Sequence, residues 1–191
     1  MKFCSQCGNP VSLIVPDGDN RERHVCDECG FIHYFNPRII AGTLPTCGDK
    51  VLLCRRAIEP RKGYWTLPAG FMENGETTEQ AALRETWEEA EARLELHGLY
   101  SLFNLPHINQ VYIFFRGEVI DGAYGAGEES LETRLFAEEE IPWDNLAFPT
   151  IYKALKHFFR DRIAGHFPVH TEDIDAFRHL KRNSGRPNKP G

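Results

Sequence analysis

The 191-residue sequence has no apolar run that approaches the roughly 18 residues a membrane-spanning helix needs. Its first ten residues, MKFCSQCGNP, lack the apolar segment of a secretory signal peptide, so we expect a cytoplasmic protein without a membrane partner. An excess of basic residues is also missing, because 22 Lys and Arg stand against 28 Asp and Glu, for a net charge of −6. Five of those basic residues lie in the last 15 positions, which contain no acid, so residues 1–176 carry −11. This acidic body argues against a nucleic-acid partner, and an anionic substrate would need a bridging metal ion.

Cysteine is scarce, but four of the six cysteines form two Cys-x-x-Cys pairs, CSQC and CDEC, separated by 18 residues. A glycine follows each pair and permits the tight turn that points backbone N–H groups at thiolates. Two disulfides would suit a secreted chain, but the sequence shows no secretion signal. A structural Zn²⁺ fits the spacing of the two pairs. Residues 1–35 therefore predict a small zinc ribbon with four ligands: Cys4, Cys7, Cys26 and Cys29.

The remaining sequence alternates predicted strands with two predicted helices. Strands are expected over 39–44, 51–56, 93–105, 110–120 and 131–136, with a loop over 63–71. A helix is expected from Thr77 to about Ala92, because Thr77 and Gln80 form a capping pattern, and an amphipathic helix is expected over 150–163. We predict an α+β domain with a mixed sheet over residues 36–165. A C-terminal extension, 166–191, is expected to be largely disordered from about residue 177.

Seven glutamates fall within residues 70–92. Glu85, Glu88 and Glu89 have the spacing that places them on one helical face, where they would repel one another unless a cation were bound. An all-oxygen carboxylate set suits Mg²⁺ or Mn²⁺, while the alternative is a solvated acidic surface. Arg84 is the only basic residue between Gly70 and Arg93, so pairing alone cannot neutralise the set. We expect Arg84 to hold the carboxylate of Glu76 through two hydrogen bonds.

This segment resembles the Nudix box, a motif in which a Gly, a Glu, an Arg-Glu pair and a Glu-Glu pair recur at fixed spacing. The matching residues are Gly70, Glu76, Arg84, Glu85, Glu88 and Glu89. Two positions depart from the pattern. Thr86 stands where a larger apolar residue is usual, and Glu91 replaces the final glycine, at a turn where a positive φ favours Gly. The resemblance implies an α/β/α sandwich and hydrolysis of a nucleoside diphosphate linked to another group.

A zinc ribbon ahead of such a domain resembles two subgroups of the family. The C-terminal half, from RGEVIDGAYG to AFPTIY, is similar to enzymes that hydrolyse FAD and ADP-ribose. The run typical of NADH pyrophosphatases is absent after the box. The resemblance thus implies FAD or ADP-ribose as substrate, with AMP plus FMN or ribose 5-phosphate as products. The alternatives are an NADH pyrophosphatase and a catalytically weak nucleotide-binding sensor module. Many relatives are homodimers, which makes a homodimer an option.

The resemblance also implies roles for individual residues. The catalytic residues would be those of the box: Glu76, Arg84, Glu85, Glu88 and Glu89. Of these, Glu85, Glu88 and Glu89 would bind Mg²⁺ or Mn²⁺, with Glu132 as a further ligand. Glu128 and Glu129 are alternatives to Glu132, and the general base is left open among these carboxylates. Arg55 and Arg56 end a strand and are candidate phosphate contacts or plain surface charges. Aromatic residues that could stack on a base or lie in the core are Tyr64, Trp65, Tyr112 and Phe114.

Overall fold

The computed structural model describes residues 1–175, and the chain divides into two units at the boundary between Pro37 and Arg38. The first unit is a three-stranded antiparallel sheet of β1 (Val11–Ile14), β2 (Arg23–Cys26) and β3 (Ile32–His33). Disorder from about residue 177 was predicted for positions that lie outside the described residues.

The second unit is built on an eight-stranded mixed sheet. Its strands are β4 (Arg38–Cys47), β5 (Lys50–Arg56), β6 (Trp65–Thr66), β7 (Ala69–Phe71), β8 (Leu94–Leu105), β9 (Gln110–Val119), β10 (Ser130–Phe136) and β11 (His170–Asp173). The main path runs β10-β5-β4-β9-β8-β11, with β6 beside β5 and β7 beside β4. The β4–β9 and β8–β11 pairs are parallel and the others are antiparallel.

Two helices, α1 (Thr78–Ala90) and α2 (Pro149–Ala164), pack on opposite faces of this sheet. Side chains of a strand alternate between the two faces, and β5 shows the consequence directly. Val51 and Leu53 pack in the large cluster that includes α2, whereas Leu52 packs in a second cluster with Ala90 at the end of α1. The predicted α+β sandwich with a mixed sheet is therefore confirmed.

The beginning of α1 follows the capping pattern read from the sequence. The Thr77 side chain accepts a hydrogen bond from the backbone N–H of Gln80, and the Gln80 side chain accepts one from the N–H of Thr77. The helix ends at Ala90, two residues before the predicted end. Glu91 follows the helix with φ 46° and ψ 28°, the left-handed conformation that favours glycine. Glu91 therefore adopts the same turn conformation for which the family motif has a glycine.

The predicted loop over 63–71 is wrong in part, because it contains the short strands β6 and β7. A further strand that the sequence pattern did not predict, β11, lies in the C-terminal extension. Its residues, HTED, offer no apolar alternation, and ionic contacts with α2 fix it instead. Glu172 binds Lys153 and His157, and His170 binds Asp161, which also accepts a hydrogen bond from the Tyr100 hydroxyl at 2.8 Å.

We expect acid to weaken the attachment of β11. Burial alone would raise the pKa of Asp161 and of Glu172, but hydrogen bonds from His170 and Tyr100, and from Lys153 and His157, outweigh it and lower both. Carboxyl groups with a lowered pKa stabilise the fold above their ordinary pKa, and this stabilisation is lost as the pH falls through the folded pKa. Urea unfolding between pH 7 and pH 3 should show a loss of free energy that is smaller in a Glu172→Gln variant. An equal loss in both proteins would contradict this expectation.

Candidate functional site

The four predicted zinc ligands come together in the N-terminal unit. Their Sγ atoms all lie within 4.8 Å of one another, and none of these cysteines forms a disulfide. The Cys7 and Cys26 sulfurs are 3.4 Å apart, and those of Cys4 and Cys29 are 3.8 Å apart. Sulfurs about 2.3 Å from a tetrahedral Zn²⁺ would lie close to this spacing, so the thiols fit the ion. Gly8 and Gly30 have φ values of 76° and 70°, as the turns after each pair require.

We expect one zinc ion per chain, with a structural role. A sheet of so few residues has little core of its own, so the metal supplies much of its stability. Replacing Cys4 with Ser should lower the zinc content and the thermal stability of the N-terminal unit, while residues of the second unit keep their hydrogen-exchange protection. Elemental analysis and hydrogen exchange measure both effects. A purified protein without zinc but with a normally protected N-terminal unit would disprove the structural role.

The predicted acidic face of α1 is held together by Arg84. Its guanidinium donates to both carboxylate oxygens of Glu76, at 2.6 and 3.0 Å, which confirms the expected two-bond contact. The same group also donates to Glu85 at 2.7 Å and to Glu88 at 3.0 Å. The Arg84 hydrogen bonds lower the pKa of Glu76 to about 2. Arg84 thus ties the loop before α1 to the carboxylates of the helix.

Strand β7 packs directly against this face. The backbone N–H of Ala69 donates to Glu89 at 3.1 Å, and the carboxylate of Glu85 lies where a Cβ on Gly70 would stand. Any side chain at position 70 would therefore displace Glu85, which explains the glycine. Thr86, the other departure from the motif, is fully buried, and its hydroxyl lies 2.7 Å from that of Thr43 on β4. The hydroxyl pair satisfies the polar atom where the family pattern has an apolar residue.

Glu89 is the carboxylate of this group that is most deeply buried. Its side chain is 6% exposed, and within residues 1–175 its hydrogen-bond partner is the single Ala69 N–H. Burial raises its pKa to about 8, and burial also raises the pKa of Glu85. A buried carboxylate is costly unless a cation or several donors compensate it. Three carboxylates from one helical face, with oxygen as the donor atom, fit Mg²⁺ or Mn²⁺.

A glycine-rich loop between β9 and β10 covers the end of α1. Gly125 and Gly127 donate backbone hydrogen bonds to the carbonyls of Ala90 and Glu89, at 2.8 and 3.3 Å. A Cβ on Gly127 would overlap the Glu88 carbonyl, and one on Gly125 would meet the Glu91 carboxylate. The loop can therefore approach the helix only because it lacks side chains at these points. It brings two acids, Glu128 and Glu129, to the same cavity as the box glutamates.

The structure does not bring Glu132 to this group. Glu132 lies on β10 opposite Arg55, with the carboxylate 3.9 Å from the guanidinium and 51% of the side chain exposed. It does not line the cavity, and the register of β10 shifts between Ser130 and Glu132. Glu129 instead lies close enough for its charge to raise the pKa values of Glu85 and Glu89. Of the three acids considered from the sequence, Glu128 and Glu129 line the cavity and Glu132 does not, and a metal-binding role for any of them stays a prediction.

Of the two arginines at the end of β5, one lines the cavity and the other does not. Arg56 lines the cavity, with its guanidinium 5.3 Å from the centre of the Phe148 ring, and its positive charge partly opposes the rise that burial causes in the pKa of Glu89. Arg55 points to the other face, where it donates to the Gly63 carbonyl at 3.0 Å and lies near Glu132. Trp65 packs edge-on against Phe136, at 4.8 Å between ring centres, beside the large core cluster. Arg56 is therefore placed to contact a ligand in the cavity, and Arg55 and Trp65 are not.

The cavity has a volume of about 1330 Å³ and two chemically different ends. One end holds the carboxylates of α1 and the glycine-rich loop, together with Arg56 and Arg84. The other end is lined mostly by apolar and aromatic side chains: Leu105, Ile108, Tyr112, Phe148, Ile151 and Ile174. Of the aromatic residues considered from the sequence, Tyr112 lines the cavity and Phe114 is fully buried in the core. Phe148 and Ile174 were missed, because single apolar residues in connecting segments carry no pattern.

Comparison with known proteins agrees with this architecture. Residues 2–35 match the model of the Nudix N-terminal zinc ribbon, and residues 36–161 match the NUDIX domain. An ADP-ribose pyrophosphatase of Methanocaldococcus jannaschii is 32% identical over 133 residues, which are 66% of this chain and 76% of that protein. An NAD-capped RNA hydrolase of Pseudomonas aeruginosa is 30% identical over 146 residues, which are 74% of this chain and 49% of that protein. This chain thus matches about half the length of the latter.

A crystal structure of a Nudix hydrolase from Nitrosomonas europaea is 51% identical and superimposes with a TM-score of 0.86, covering 91% of this chain and all of that one.

Among residues 1–175, no helix is long and apolar enough to cross a membrane. The ribbon, the sandwich and the box residues therefore agree with both family models, and the chain belongs to the Nudix hydrolases that carry an N-terminal zinc ribbon.

Proposed function

We propose that this Nudix hydrolase cleaves the diphosphate of an adenine dinucleotide, with ADP-ribose or FAD as its preferred substrate. The observation that carries the proposal is the cavity, which joins a carboxylate group suited to divalent metal to an apolar, aromatic end suited to a base. The similarity to a protein named ADP-ribose pyrophosphatase supports ADP-ribose. The products would be AMP with ribose 5-phosphate, or AMP with FMN.

In this proposal Glu85, Glu88 and Glu89 hold the divalent ion, and Glu129 completes the set in place of Glu132. When bound, such an ion neutralises phosphate charge and acidifies the attacking water. Arg84 keeps the carboxylates in position, since it donates to Glu85 and Glu88 while it is anchored on Glu76. Proton removal from the water falls to one of these carboxylates.

Arg56 would contact the phosphate that is not neutralised by metal. Its guanidinium lies over the face of Phe148 at the edge of the cavity, and its Nε–H donates to the Pro60 carbonyl at 2.9 Å. These contacts fix the planar group and leave its terminal N–H donors for a ligand. This placement between the acidic end and the aromatic end is where the diphosphate of an extended dinucleotide would pass. Replacing Arg56 with Ala would then raise KM more than it lowers kcat.

A second candidate is an NAD-type substrate. Relatives named NAD-capped RNA hydrolase match at about 30% identity, and this keeps NADH and NAD-capped RNA among the substrates to be tested. This similarity also means that RNA binding has to be tested, although the net charge of the chain predicts no nucleic-acid partner. A homodimer and a catalytically weak sensor module remain predictions, and the substrate comparison below tests the second of them.

The test compares kcat/KM for ADP-ribose, FAD, NADH, NAD-capped RNA, diadenosine tetraphosphate and dGTP, with Mg²⁺ and with Mn²⁺. We expect ADP-ribose or FAD to exceed NADH and dGTP at least tenfold, about 1.4 kcal/mol in transition-state binding. A tenfold preference for NADH, the capped RNA or dGTP would overturn the substrate and leave the pyrophosphatase chemistry. Nucleotide binding without turnover of any compound would favour the sensor module.

A further inference from the structure

The C-terminal strand β11 holds a fixed position at the edge of the sheet. Glu172 forms an ion pair with Lys153 and a hydrogen bond with His157 of α2, and His170 contacts the buried Asp161 of the same helix. The rings of His157 and His170 stack at 4.0 Å with an interplanar angle of 6°. These contacts fix the strand against α2 as well as against β8. The residues that follow the strand are therefore placed by the fold.

Those residues, Ile174 and Asp175, enter the substrate cavity. The Ile174 backbone N–H donates to the Asn104 carbonyl of β8 at 2.8 Å, and its side chain, 2% exposed, joins the core. Asp175 lines the cavity. Within residues 1–175 it forms no ion pair and no side-chain hydrogen bond. The C-terminal extension thus supplies a carboxylate to a cavity whose other acids come from α1, from the glycine-rich loop and from the loops that hold Glu59 and Glu73.

The strand order places this carboxylate far from the metal end. The box glutamates lie beside β7 and β4, while Asp175 follows β11, three strands beyond β4 in the order β4-β9-β8-β11. At about 4.8 Å per strand, this amounts to roughly 14 Å across the sheet. A separation of this size excludes Asp175 from the metal group and leaves room for a nucleoside between the two ends.

The apolar lining of this cavity has the composition of a base-binding site. Ile108, Tyr112, Phe148 and Ile174 offer flat or apolar contact, and base–aromatic stacking contributes about 1–3 kcal/mol per base. Stacking tolerates every base because each has a π-face, so it gives affinity without selection. Selection needs a polar group at the edge of the ring. A carboxylate accepts hydrogen bonds and donates none when ionised.

We propose that Asp175 approaches the base from its N7 edge, accepts a hydrogen bond from the exocyclic amino group and thereby selects adenine over 6-oxopurines, which offer no donor on that edge. The inference rests on the proposed function, because it places the nucleoside of the dinucleotide at the apolar end of the cavity. Adenine presents an amino donor at position 6, whereas hypoxanthine presents a carbonyl acceptor there. Against hypoxanthine, Asp175 would face a second acceptor, which costs a hydrogen bond and adds repulsion.

The test uses substrates and products that differ only at this edge. For the wild-type protein we expect kcat/KM for ADP-ribose to exceed that for IDP-ribose at least tenfold, and AMP to inhibit at least tenfold more tightly than IMP. In Asp175→Asn, whose amide can donate as well as accept, both ratios should fall below threefold. The control is Asp173→Asn, two residues away on the same segment, where the carboxylate accepts a hydrogen bond from Asn104 and does not line the cavity. It should keep both ratios.

Equal treatment of AMP and IMP by the wild-type protein would overturn the inference, whichever dinucleotide is cleaved. So would an Asp175→Asn variant that loses ADP-ribose and IDP-ribose hydrolysis to the same extent, because a contact to ribose hydroxyls or a structural role predicts that result. Failure of the proposed function has a different signature, namely a preference for dGTP or NADH in the substrate comparison. Discrimination between AMP and IMP is measured as inhibition or direct binding and does not depend on that outcome.

Discussion

Replacing Glu88 or Glu89 with Gln is expected to reduce kcat about 10²–10³-fold in Mg²⁺, a range typical for loss of one electrostatic contact to the developing charge. The reason is that these carboxylates hold the ion that neutralises the diphosphate, and an amide carries no charge. The fold should persist in both variants. Glu89 is buried with its pKa raised to about 8, so the neutral form already predominates at pH 7 in the metal-free protein, and a neutral Gln should cost little stability.

The measurement is steady-state turnover of the preferred dinucleotide over a range of Mg²⁺ concentrations, together with urea unfolding. Glu79→Gln is a matched control, because Glu79 lies in the first turn of the same helix, is exposed and does not line the cavity. It should keep turnover within about twofold of the wild-type protein, as exposed substitutions away from a site usually do. If Glu88→Gln and Glu89→Gln both keep wild-type rates, neither residue is a catalytic metal ligand.

Much of the site follows from local sequence spacing. The acidic face of α1, its capping box and the contact between Arg84 and Glu76 all join residues no more than eight positions apart, and helix geometry fixes such distances. The central strands could also be predicted locally, since β4 and β5 are short runs of mostly apolar residues, as is typical of strands buried on both faces. The zinc ligands are far apart in the sequence, but the two matching Cys-x-x-Cys pairs still allow their contact in space to be predicted.

Features that depend on long-range contacts were not predicted. Strand β11 is polar, and its position depends on α2 side chains such as Lys153 and His157, 15 to 19 residues earlier in the chain. The choice between Glu129 and Glu132 depends on backbone hydrogen bonds from Gly125 and Gly127 to the end of α1. It also depends on a shift in strand register at the start of β10. A pattern of residue types records neither the bulge nor the loop contact.

The second large effect is expected for an acid of the glycine-rich loop. Glu129→Gln should lower kcat much more than Glu132→Gln. Glu129 lines the cavity with the box glutamates, and its backbone is fixed by a 2.8 Å hydrogen bond from the Ala57 N–H to its carbonyl. Its charge acts on Glu85 and Glu89, so we expect Glu129→Gln to lower kcat about 10²-fold, the scale of one metal ligand or general base. Glu132→Gln removes an exposed pair with Arg55 and should change kcat less than about twofold.

The pair of variants separates the structural assignment from the one made on sequence. Both substitutions remove one negative charge from the same loop and strand, so a general electrostatic effect on an anionic substrate would raise or lower both rates together. A specific role at the metal predicts loss in Glu129→Gln alone, accompanied by a higher Mg²⁺ concentration for half-maximal rate if Glu129 binds the ion. An unchanged Mg²⁺ requirement with a lost rate would instead identify Glu129 as the base. Loss of turnover in Glu132→Gln with normal Glu129→Gln activity would contradict the placement of β10 and restore the original assignment.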